Sequence, residues 1–264
     1  MKIIILGSGS SSGVPIIGCH CKVCLSKNPK NTRTRASIFI EKKDTKILID
    51  SSPDLRQQAL KNNITSLDAV VYTHDHADHI GGIDDLKSFA FLANKSVPIY
   101  ADSVTLEAIT KRFNYIFVNQ SSSADSLPHG GHFAFANANI VESEKKFKIK
   151  DLELIPFKQK HGKVHSLGFR IDDFAYSTDV NQFDDEALSK LSNLKLWIVD
   201  CISHKPNSTH LCLEQALEWI ERVSPRSAIL THMSHDIDYD YLLKKLPPNI
   251  ILAYDGLSIS ISDL

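Results

Sequence analysis

The chain has little of what marks a membrane or secreted protein. No stretch approaches the roughly 20 consecutive apolar residues that a membrane-spanning helix needs. The apolar run that opens the sequence extends only from Ile3 to Leu6, which is too short for a signal peptide. There are only five cysteines, and three of them lie between Cys19 and Cys24, a distribution that fits a metal in a reducing compartment better than a disulfide framework. We therefore expect a cytoplasmic protein that does not bind membranes.

The sequence also lacks an excess of charge of either sign. Its 30 Lys and Arg residues nearly balance 31 Asp and Glu residues, which gives a formal net charge of −1. A dedicated nucleic-acid-binding protein carries a basic surplus, so nucleic acid is not favoured as a partner, although a local basic patch is left open. With 264 residues, of which 42% are hydrophobic, the chain can build one large core or at most two small ones.

Strand and helix signals alternate along the chain, with one long exception. Ser52-Pro53 predicts the start of a helix that runs to about Lys61, because proline suits the first helical position. Residues 119–139 are instead rich in Ser, Asn, Gly and Ala and predict a long loop. We interpret this loop as a flap on the substrate side and assign no ligand role to its His129 and His132.

A run of metal-binding residue types lies between a predicted strand and a predicted helix. The segment 67–72 is apolar and β-branched and predicts a buried strand, whereas 83–89 has apolar residues at helical spacing. Between these segments stand His74, His76, Asp78 and His79. His74 and His76 point the same way in an extended chain, and Asp78 and His79 follow where the chain turns into the helix. Imidazole and carboxylate are ligands of zinc, iron and manganese, so the loop predicts a metal site rather than a solvated His-rich loop.

A second predicted metal site lies near the start of the chain. Cys19, Cys21 and Cys24 are close enough in sequence to converge on one tetrahedral zinc, which takes four nitrogen or sulfur ligands. The fourth ligand is either His20 or a residue from elsewhere in the chain. Unconnected surface thiols are the alternative, but clustered exposed cysteines are open to oxidation. We therefore predict a structural zinc in the loop 18–24.

The pattern His-x-His-x-Asp-His at residues 74–79 resembles the signature of the metallo-β-lactamase-fold hydrolases. The resemblance implies an α/β fold, a four-layer αββα sandwich of two mixed β-sheets flanked by helices, built by residues 1–264 as a single metallo-hydrolase domain. It further implies a dinuclear site whose remaining ligands come from later loops. A first metal would be held by His74, His76 and His161, a second by Asp78, His79 and His232, and Asp179 would bridge the two.

The later residues have weaker signals of their own. An isolated histidine such as His161 is more often structural, and Asp179 after its strand could be a turn or a helix cap; the resemblance favours the ligand role for both. His165 is a candidate for supporting the ligands from behind. His235 comes three residues after His232 and is well placed to be the fourth ligand of the structural zinc.

Further motifs narrow the resemblance. A Gly-Ser-rich start, Gly-Cys-x-Cys-x-x-Cys at 18–24, Leu-Thr-His-x-Ser-His at 230–235 and Tyr-Asp-Gly at 254–256 are similar to the phosphoribosyl 1,2-cyclic phosphate phosphodiesterase group. This resemblance implies two divalent active-site metals, zinc or manganese, about 3.5–4 Å apart and sharing a nucleophilic hydroxide. The expected reaction is metal-dependent hydrolysis of a small or cyclic phosphodiester. The chain departs from that group around residues 119–139 and at 161–165, which border the expected pocket, so the natural substrate is left open.

The catalytic candidates are Asp78 and His210. His210 precedes a predicted helix over 211–223, so we expect its imidazole at the positive end of the helix dipole. That dipole and nearby metals would lower the pKa of His210, whereas an approaching phosphate would favour the cation. Its position resembles the proton-donating histidine of the phosphodiesterase group, which favours a general acid over a helix cap.

Other functions of the same metal loop stay open. An RNase Z-like RNA-processing nuclease shares it, although we find no basic arm for an RNA backbone. A thioester, lactone or β-lactam hydrolase also shares it, and a non-catalytic, metal-binding regulatory protein is the alternative from a different class. A small phosphodiester is the expected partner, and a homodimer is left open.

Overall fold

The strands of the described residues form two mixed sheets of seven strands each. The computed structural model describes residues 1–117 and 134–264. Strands are numbered in chain order. In spatial order the first sheet contains β14 (Ser258–Ser260), β1 (Lys2–Gly7), β2 (Ser37–Lys42), β3 (Thr45–Ile49), β4 (Ala69–Val71), β5 (Val97–Ala101) and β6 (Ala136–Ile140). The second contains β13 (Ile250–Leu252), β12 (Ser227–Thr231), β11 (Leu196–Asp200), β10 (Phe174–Ser177), β9 (Val164–Ile171), β8 (Leu152–His161) and β7 (Phe147–Ile149).

Helices cover the outer faces of both sheets. Within the described residues the α-helices are α1 (Leu55–Lys61), α2 (Ala77–Ile80), α3 (Leu86–Ala93), α4 (Ser103–Arg112), α5 (Asp185–Lys190), α6 (Leu213–Val223) and α7 (Tyr239–Leu243). In this part of the chain, no helix combines the length and the apolar character that crossing a bilayer would require.

The two faces of each strand explain the layers. Side chains alternate along β1, so Ile3 and Ile5 join Phe157 and Phe169 of the second sheet in one buried cluster between the sheets. Leu6 points the other way and packs in a separate cluster with residues of α1, α3 and α4. Residues of α5, α6 and α7 pack against the cluster that contains the second sheet. The predicted four-layer sandwich is therefore confirmed.

Two local predictions differ from the structure. Helix α1 begins at Leu55 rather than at Ser52-Pro53. The reason is a turn in which the Ser52 hydroxyl accepts a hydrogen bond from the Asp54 N–H and the Ser52 carbonyl accepts one from the Leu55 N–H. In the segment predicted as a flap over 119–139, residues Ala136–Ile140 instead form β6, parallel to β5. Residues 118–133, including His129 and His132, lie outside the described residues.

The sheet topology gathers the ends of several strands at one edge. Strands β3, β4 and β5 run parallel in the first sheet, and β10, β11 and β12 run parallel in the second. The carboxyl ends of parallel neighbours lie at the same edge, so the loops that follow them face a common space. The predicted residues of the dinuclear site stand in these loops and at the end of β8, whereas Cys19, Cys21 and Cys24 lie between β1 and β2.

Candidate metal centre

Three buried residues at this edge have an unusual backbone. Asp50 follows β3, Asp179 follows β10, and His232 follows β12, with φ values of 63°, 52° and 59°. A left-handed backbone is uncommon for residues other than glycine, and such strain tends to gather at functional sites. All three residues are at most 2% exposed. The strand ends therefore turn sharply to aim acidic and imidazole groups into the protein.

The predicted ligands come together as two groups that share one residue. Within each group, the potential ligand atoms all lie within 4.8 Å of one another. The first group contains His74, His76, His161 and Asp179, and the second contains Asp78, His79, Asp179 and His232. These are the two sets, with the shared aspartate, that the sequence predicted.

Asp179 divides its two carboxylate oxygens between the groups. Its Oδ1 lies 3.1 Å from Nε2 of His79 and 3.3 Å from Nε2 of His232, both in the second group. Its Oδ2 lies 3.7 Å from Nε2 of both His74 and His161, in the first group. A carboxylate placed in this way can ligate two cations at once.

Hydrogen bonds behind the rings fix how three of the imidazoles point. His79 Nδ1 donates to Asp50 Oδ2 over 2.7 Å, and His161 Nδ1 donates to the Thr209 carbonyl, also over 2.7 Å. The Thr73 hydroxyl donates to Asp50, so its oxygen can accept from His74 Nδ1 at 2.9 Å. With each Nδ1 used in this way, each Nε2 faces the groups described above and, once unprotonated, offers its lone pair there, as in a metal-ligating histidine.

Buried atoms without partners test whether a cation fits. Among the described residues, Nε2 of His74, His79 and His232 and Oδ2 of Asp78 are buried and have no hydrogen-bond partner. An unsatisfied buried polar atom costs roughly 1–3 kcal/mol, so four that converge on one space are not expected without a ligand. The site therefore fits divalent cations. These unpartnered atoms and the imidazole and carboxylate groups that surround them both support the use of a divalent metal.

The pKa values of these residues follow from burial and charge. Burial opposes ionisation of Asp78 and Asp179, but neighbouring histidines hold the pKa of both carboxyls well below the usual range. Burial lowers the pKa of His74 strongly, so its imidazole is neutral at pH 7. Burial also disfavours the cation of His79, but the charges of Asp179, Asp50 and Asp78 raise the pKa of His79 well above its ordinary value. The negative charge of these converging carboxylates favours positive charge nearby, which a divalent cation would supply.

His210 stands beside both groups and is held by Asp200. His210 Nδ1 lies 3.0 Å from Asp200 Oδ2, and its Nε2 lies 3.8 Å from Asp179 Oδ2. Burial lowers the pKa of His210, but the Asp200 charge and its hydrogen bond raise that pKa to about 9. Helix α6 begins only at Leu213 and not directly after His210. Asp200 therefore outweighs the lowering of the His210 pKa that we expect from the helix dipole. Asp200 therefore favours the cationic form of the imidazole at neutral pH, which carries a proton on Nε2.

Sequence reasoning missed Asp50 and Asp200. Asp50 accepts hydrogen bonds from the Thr73 N–H, the Thr73 hydroxyl and His79, and Asp200 contacts His210 and His232. Both residues are fully buried. Each is an acidic residue at the end of an apolar strand, which is the signal that identified Asp179 and could have identified them as well.

The cysteine loop forms a separate site. His235 Nδ1 lies 3.2, 3.5 and 3.7 Å from the Sγ atoms of Cys19, Cys21 and Cys24. These four residues form a group of potential metal ligands that includes His235 and not His20, which is exposed. The chemistry of three thiols and one imidazole suits a tetrahedral zinc. His165 is exposed and belongs to none of the metal-ligand groups found among the described residues.

Comparison with known proteins agrees with this architecture. The profile of a β-lactamase superfamily domain matches residues 45–233. A solved structure described as a new diphosphatase from the PhnP family is 34% identical, covers 98% of this chain and 97% of its own, and superposes with a TM-score of 0.89. Human tRNase Z, short form, covers 99% of both chains with a TM-score of 0.68 but is only 18% identical, so it shows likeness of fold alone.

Curated relatives match over only part of their length. A protein of Porphyromonas gingivalis named octanoyltransferase is 36% identical over 266 residues, which is 100% of this chain and 52% of the relative. Coenzyme PQQ synthesis protein B of Methylobacterium radiotolerans is 31% identical over 33% of this chain and 34% of its own. The chain thus spans about half of the first relative and a third of the second. The domain profile extends from β3 to just past β12, over the strands that present the two His/Asp groups, and it supports a metal-dependent hydrolase. The chain belongs to the metallo-β-lactamase superfamily.

Proposed function

We propose that this protein is a phosphodiesterase with a dinuclear metal centre. A first ion, zinc or manganese, would be held by His74, His76 and His161, and a second by Asp78, His79 and His232. Asp179 belongs to both groups and would contribute a carboxylate oxygen to each ion. The observation that carries the proposal is the division of the Asp179 oxygens between two histidine groups, with the cationic His210 beside them.

The site has the parts that phosphoryl hydrolysis needs. Hydrolysis joins a water oxygen to phosphorus and breaks one phosphorus–oxygen ester bond, so the leaving oxygen needs a proton. Two divalent ions, when bound, supply an activated water and neutralise charge on the phosphoryl oxygens. His210 is placed to donate its Nε2 proton to the leaving oxygen, and Asp200 keeps the imidazole oriented and cationic. Asp50 and the Thr209 carbonyl hold the ligating imidazoles in place.

The choice of a phosphorus centre is supported by one relative. The PhnP-family protein named a diphosphatase cleaves a phosphate linkage and is 34% identical over nearly all of this chain. An RNA substrate is less favoured, because the formal net charge is −1 and the tRNase Z likeness is one of fold. A small phosphodiester is therefore the preferred substrate.

A thioester is the second candidate substrate. The Porphyromonas gingivalis relative is named for transfer of an octanoyl group, and all of this chain takes part in the match. About half of that relative lies outside the match, so the name can describe the other half. An octanoyl thioester therefore belongs in any substrate test.

We also propose that Cys19, Cys21, Cys24 and His235 hold a structural zinc. His235 lies three residues after His232, so a zinc there would brace the turn that presents a ligand of the second ion.

The test is a substrate panel on protein of known metal content. Elemental analysis is expected to give three divalent ions per chain, and bis(p-nitrophenyl) phosphate should be cleaved faster than p-nitrophenyl phosphate, octanoyl-coenzyme A or a β-lactam. His76→Ala is the matched control, since it removes one active-site ligand and should remove the activity. Faster cleavage of the thioester or lactam by the same preparation would contradict the phosphodiesterase assignment.

A further inference from the structure

We propose that Asp255 is a positioning residue of the metal centre, because it holds in place the turn that presents His232 to the second ion. This inference rests on the proposed function, which makes His232 a ligand of that ion. Asp255 belongs to the Tyr-Asp-Gly motif at 254–256, and its side chain joins this motif to the Gly-Ser-rich loop near the start of the chain. Both motifs would thereby serve the metal centre.

Asp255 lies where the chain passes from the second sheet to the first, between β13 and β14. On one side, the Ala253 N–H donates to the Leu230 carbonyl of β12 at 2.8 Å. On the other side, the Gly256 N–H donates to the Ile5 carbonyl of β1 at 2.7 Å. The backbone around Asp255 is therefore bonded to both sheets, so its carboxylate starts from a defined position.

The carboxylate of Asp255 binds two loops of the first sheet, one with each oxygen. Its Oδ1 accepts from the N–H and the hydroxyl of Ser8, at 2.9 and 2.8 Å. Its Oδ2 accepts from the N–H and the hydroxyl of Thr34, at 2.7 and 2.6 Å. Ser8 follows β1 directly, and Thr34 lies shortly before β2. Since donors face both oxygens, the ionised carboxylate is the side chain that satisfies them, and such charge-assisted bonds are the stronger ones.

The start of the Gly-Ser-rich loop holds Met233 by both of its backbone groups. The Ser8 carbonyl accepts from the Met233 N–H at 2.9 Å, and the Ser10 N–H donates to the Met233 carbonyl at 3.2 Å. Between these residues, the Gly9 N–H donates to the Thr34 carbonyl at 2.8 Å. The two loops that share the carboxylate are thus also bonded to each other, and together they support Met233.

The residue before Met233 needs such support. His232 has a left-handed backbone with φ of 59°, a conformation that is unfavourable for residues other than glycine and persists only where surrounding contacts fix it. Strand β12 holds the chain on one side of His232, and the bonds from the Ser8 loop to Met233 hold it on the other. Loss of the Asp255 carboxylate should therefore allow this backbone to relax and the imidazole of His232 to move away from the second ligand group.

The first test measures metal affinity in Asp255→Asn. The amide has nearly the shape of the carboxylate, but its NH₂ group would face donors in one of the two loops. We expect the affinity for the second ion to fall about tenfold, at the lower end of the effect typical of residues that hold metal ligands in place. In a zinc-loaded sample titrated with a chelator, the imidazole nitrogen NMR signals of His79 and His232 should revert to the metal-free form earlier than in the wild type. The signals of His74 and His161, which report the first ion, should revert at the same chelator concentration as in the wild type.

Turnover of bis(p-nitrophenyl) phosphate gives a second readout. Because Asp255→Asn weakens the binding of an ion and removes no reacting group, excess zinc should restore kcat. Asp68→Asn is the matched control: Asp68 also accepts a backbone N–H, that of Lys46 at 2.9 Å, but it stands before β4, at the end of that strand away from the metal loop. Both variants should unfold at a lower temperature than the wild type, whereas Asp68→Asn should keep the wild-type affinity for every ion.

Ser8→Ala keeps the test decisive if Asp255→Asn does not fold. It removes one of the hydrogen bonds to the Asp255 carboxylate, so it should weaken binding of the second ion in the same way but by a smaller factor.

Different outcomes separate the two proposals. An unchanged affinity for the second ion, an equal loss at both ions, or an equal effect of Asp68→Asn would overturn the positioning role of Asp255. Activity that excess zinc does not restore would overturn it as well. If the metal-loaded wild type cleaves no phosphodiester, the phosphodiesterase proposal fails, while the metal affinities still decide the role of Asp255.

Discussion

Asp200 contacts His210 with one carboxylate oxygen and His232 with the other. Its Oδ2 lies 3.0 Å from His210 Nδ1, and its Oδ1 lies 3.6 Å from His232 Nδ1. One fully buried carboxylate thus orients the proposed proton donor through a hydrogen bond and also lies beside a proposed ligand of the second ion. Because both residues contact the same carboxylate, the proposed acid has a defined position relative to a proposed metal ligand. The leaving group and the nucleophile would then be positioned relative to each other.

His210→Ala should slow hydrolysis without removing the metals. A general acid typically contributes about 10²–10⁴-fold when the leaving group is poor. We expect kcat for an alkyl phosphodiester to fall at least about tenfold, and kcat for a p-nitrophenyl ester to fall much less, since nitrophenolate leaves without a proton. The measurement compares kcat on both esters at equal metal content.

The two ester types also supply the control. A loss of equal size on both would show that His210 does not act as the acid. Loss of metal from the variant would mean that the residue serves the ligand shell instead.

Asp200→Asn should act largely through His210. The amide has nearly the volume of the carboxylate but cannot stabilise the imidazolium, so proton donation should weaken. We expect a fall in kcat on alkyl esters that is not additive with His210→Ala, because both substitutions remove one functional unit. The double variant should therefore resemble His210→Ala alone. Full additivity in this cycle would separate Asp200 from the acid.

The members of the two His/Asp groups could be predicted because one loop carries four of them and the family resemblance indicated the others. His74, His76, Asp78 and His79 lie in one loop, and Asp179 and His232 each follow an apolar strand. Parallel strands then bring these ends to one edge, which is a consequence of topology that a strand pattern already predicts.

The residues that support the candidate ligands carry the same strand-end signal, but the sequence does not show which side chains they contact. Asp50 is 29 residues from His79 and is joined to it only by the folded sheet. The start of α1 was misplaced because a Ser52 turn competes with the helix cap that proline suggested. Likewise, Asn139 and its neighbours were predicted as loop from their polarity, but they pair with β5 as an edge strand, where polar side chains remain in water.

The two proposed metal sites should respond differently to loss of a ligand. His76→Ala should abolish hydrolysis, because it removes a proposed active-site ligand. Since His76 is exposed, its loss should leave the melting temperature nearly unchanged. Cys21→Ser should release one zinc and lower the melting temperature, because a structural zinc contributes directly to folding. Elemental analysis and thermal unfolding measure both effects.

His20→Ala is the matched control for the cysteine loop. His20 lies between two of the cysteines but is exposed and outside the ligand group, so its substitution should keep the zinc and the stability. Equal destabilisation by His76→Ala and Cys21→Ser would remove the distinction between a catalytic and a structural metal.

Gly162→Ala should damage the site through backbone strain and a clash with Thr209. Gly162 has φ of 63°, and an added Cβ would lie 2.7 Å from Thr209 Cγ2. The left-handed conformation costs an alanine about 1–2 kcal/mol, and the clash adds about 1–3 kcal/mol. Because the Thr209 carbonyl accepts the hydrogen bond that orients His161, displacement of Thr209 should also weaken binding of the first ion.

Gly256→Ala isolates the backbone cost, since Gly256 has φ of 92° but its nearest neighbour to an added Cβ lies at 3.6 Å. Denaturant unfolding should show a larger loss of unfolding free energy for Gly162→Ala than for Gly256→Ala, and metal titration should show weaker binding only for Gly162→Ala. Equal losses of stability and equal metal affinity would mean that Thr209 shifts without moving His161.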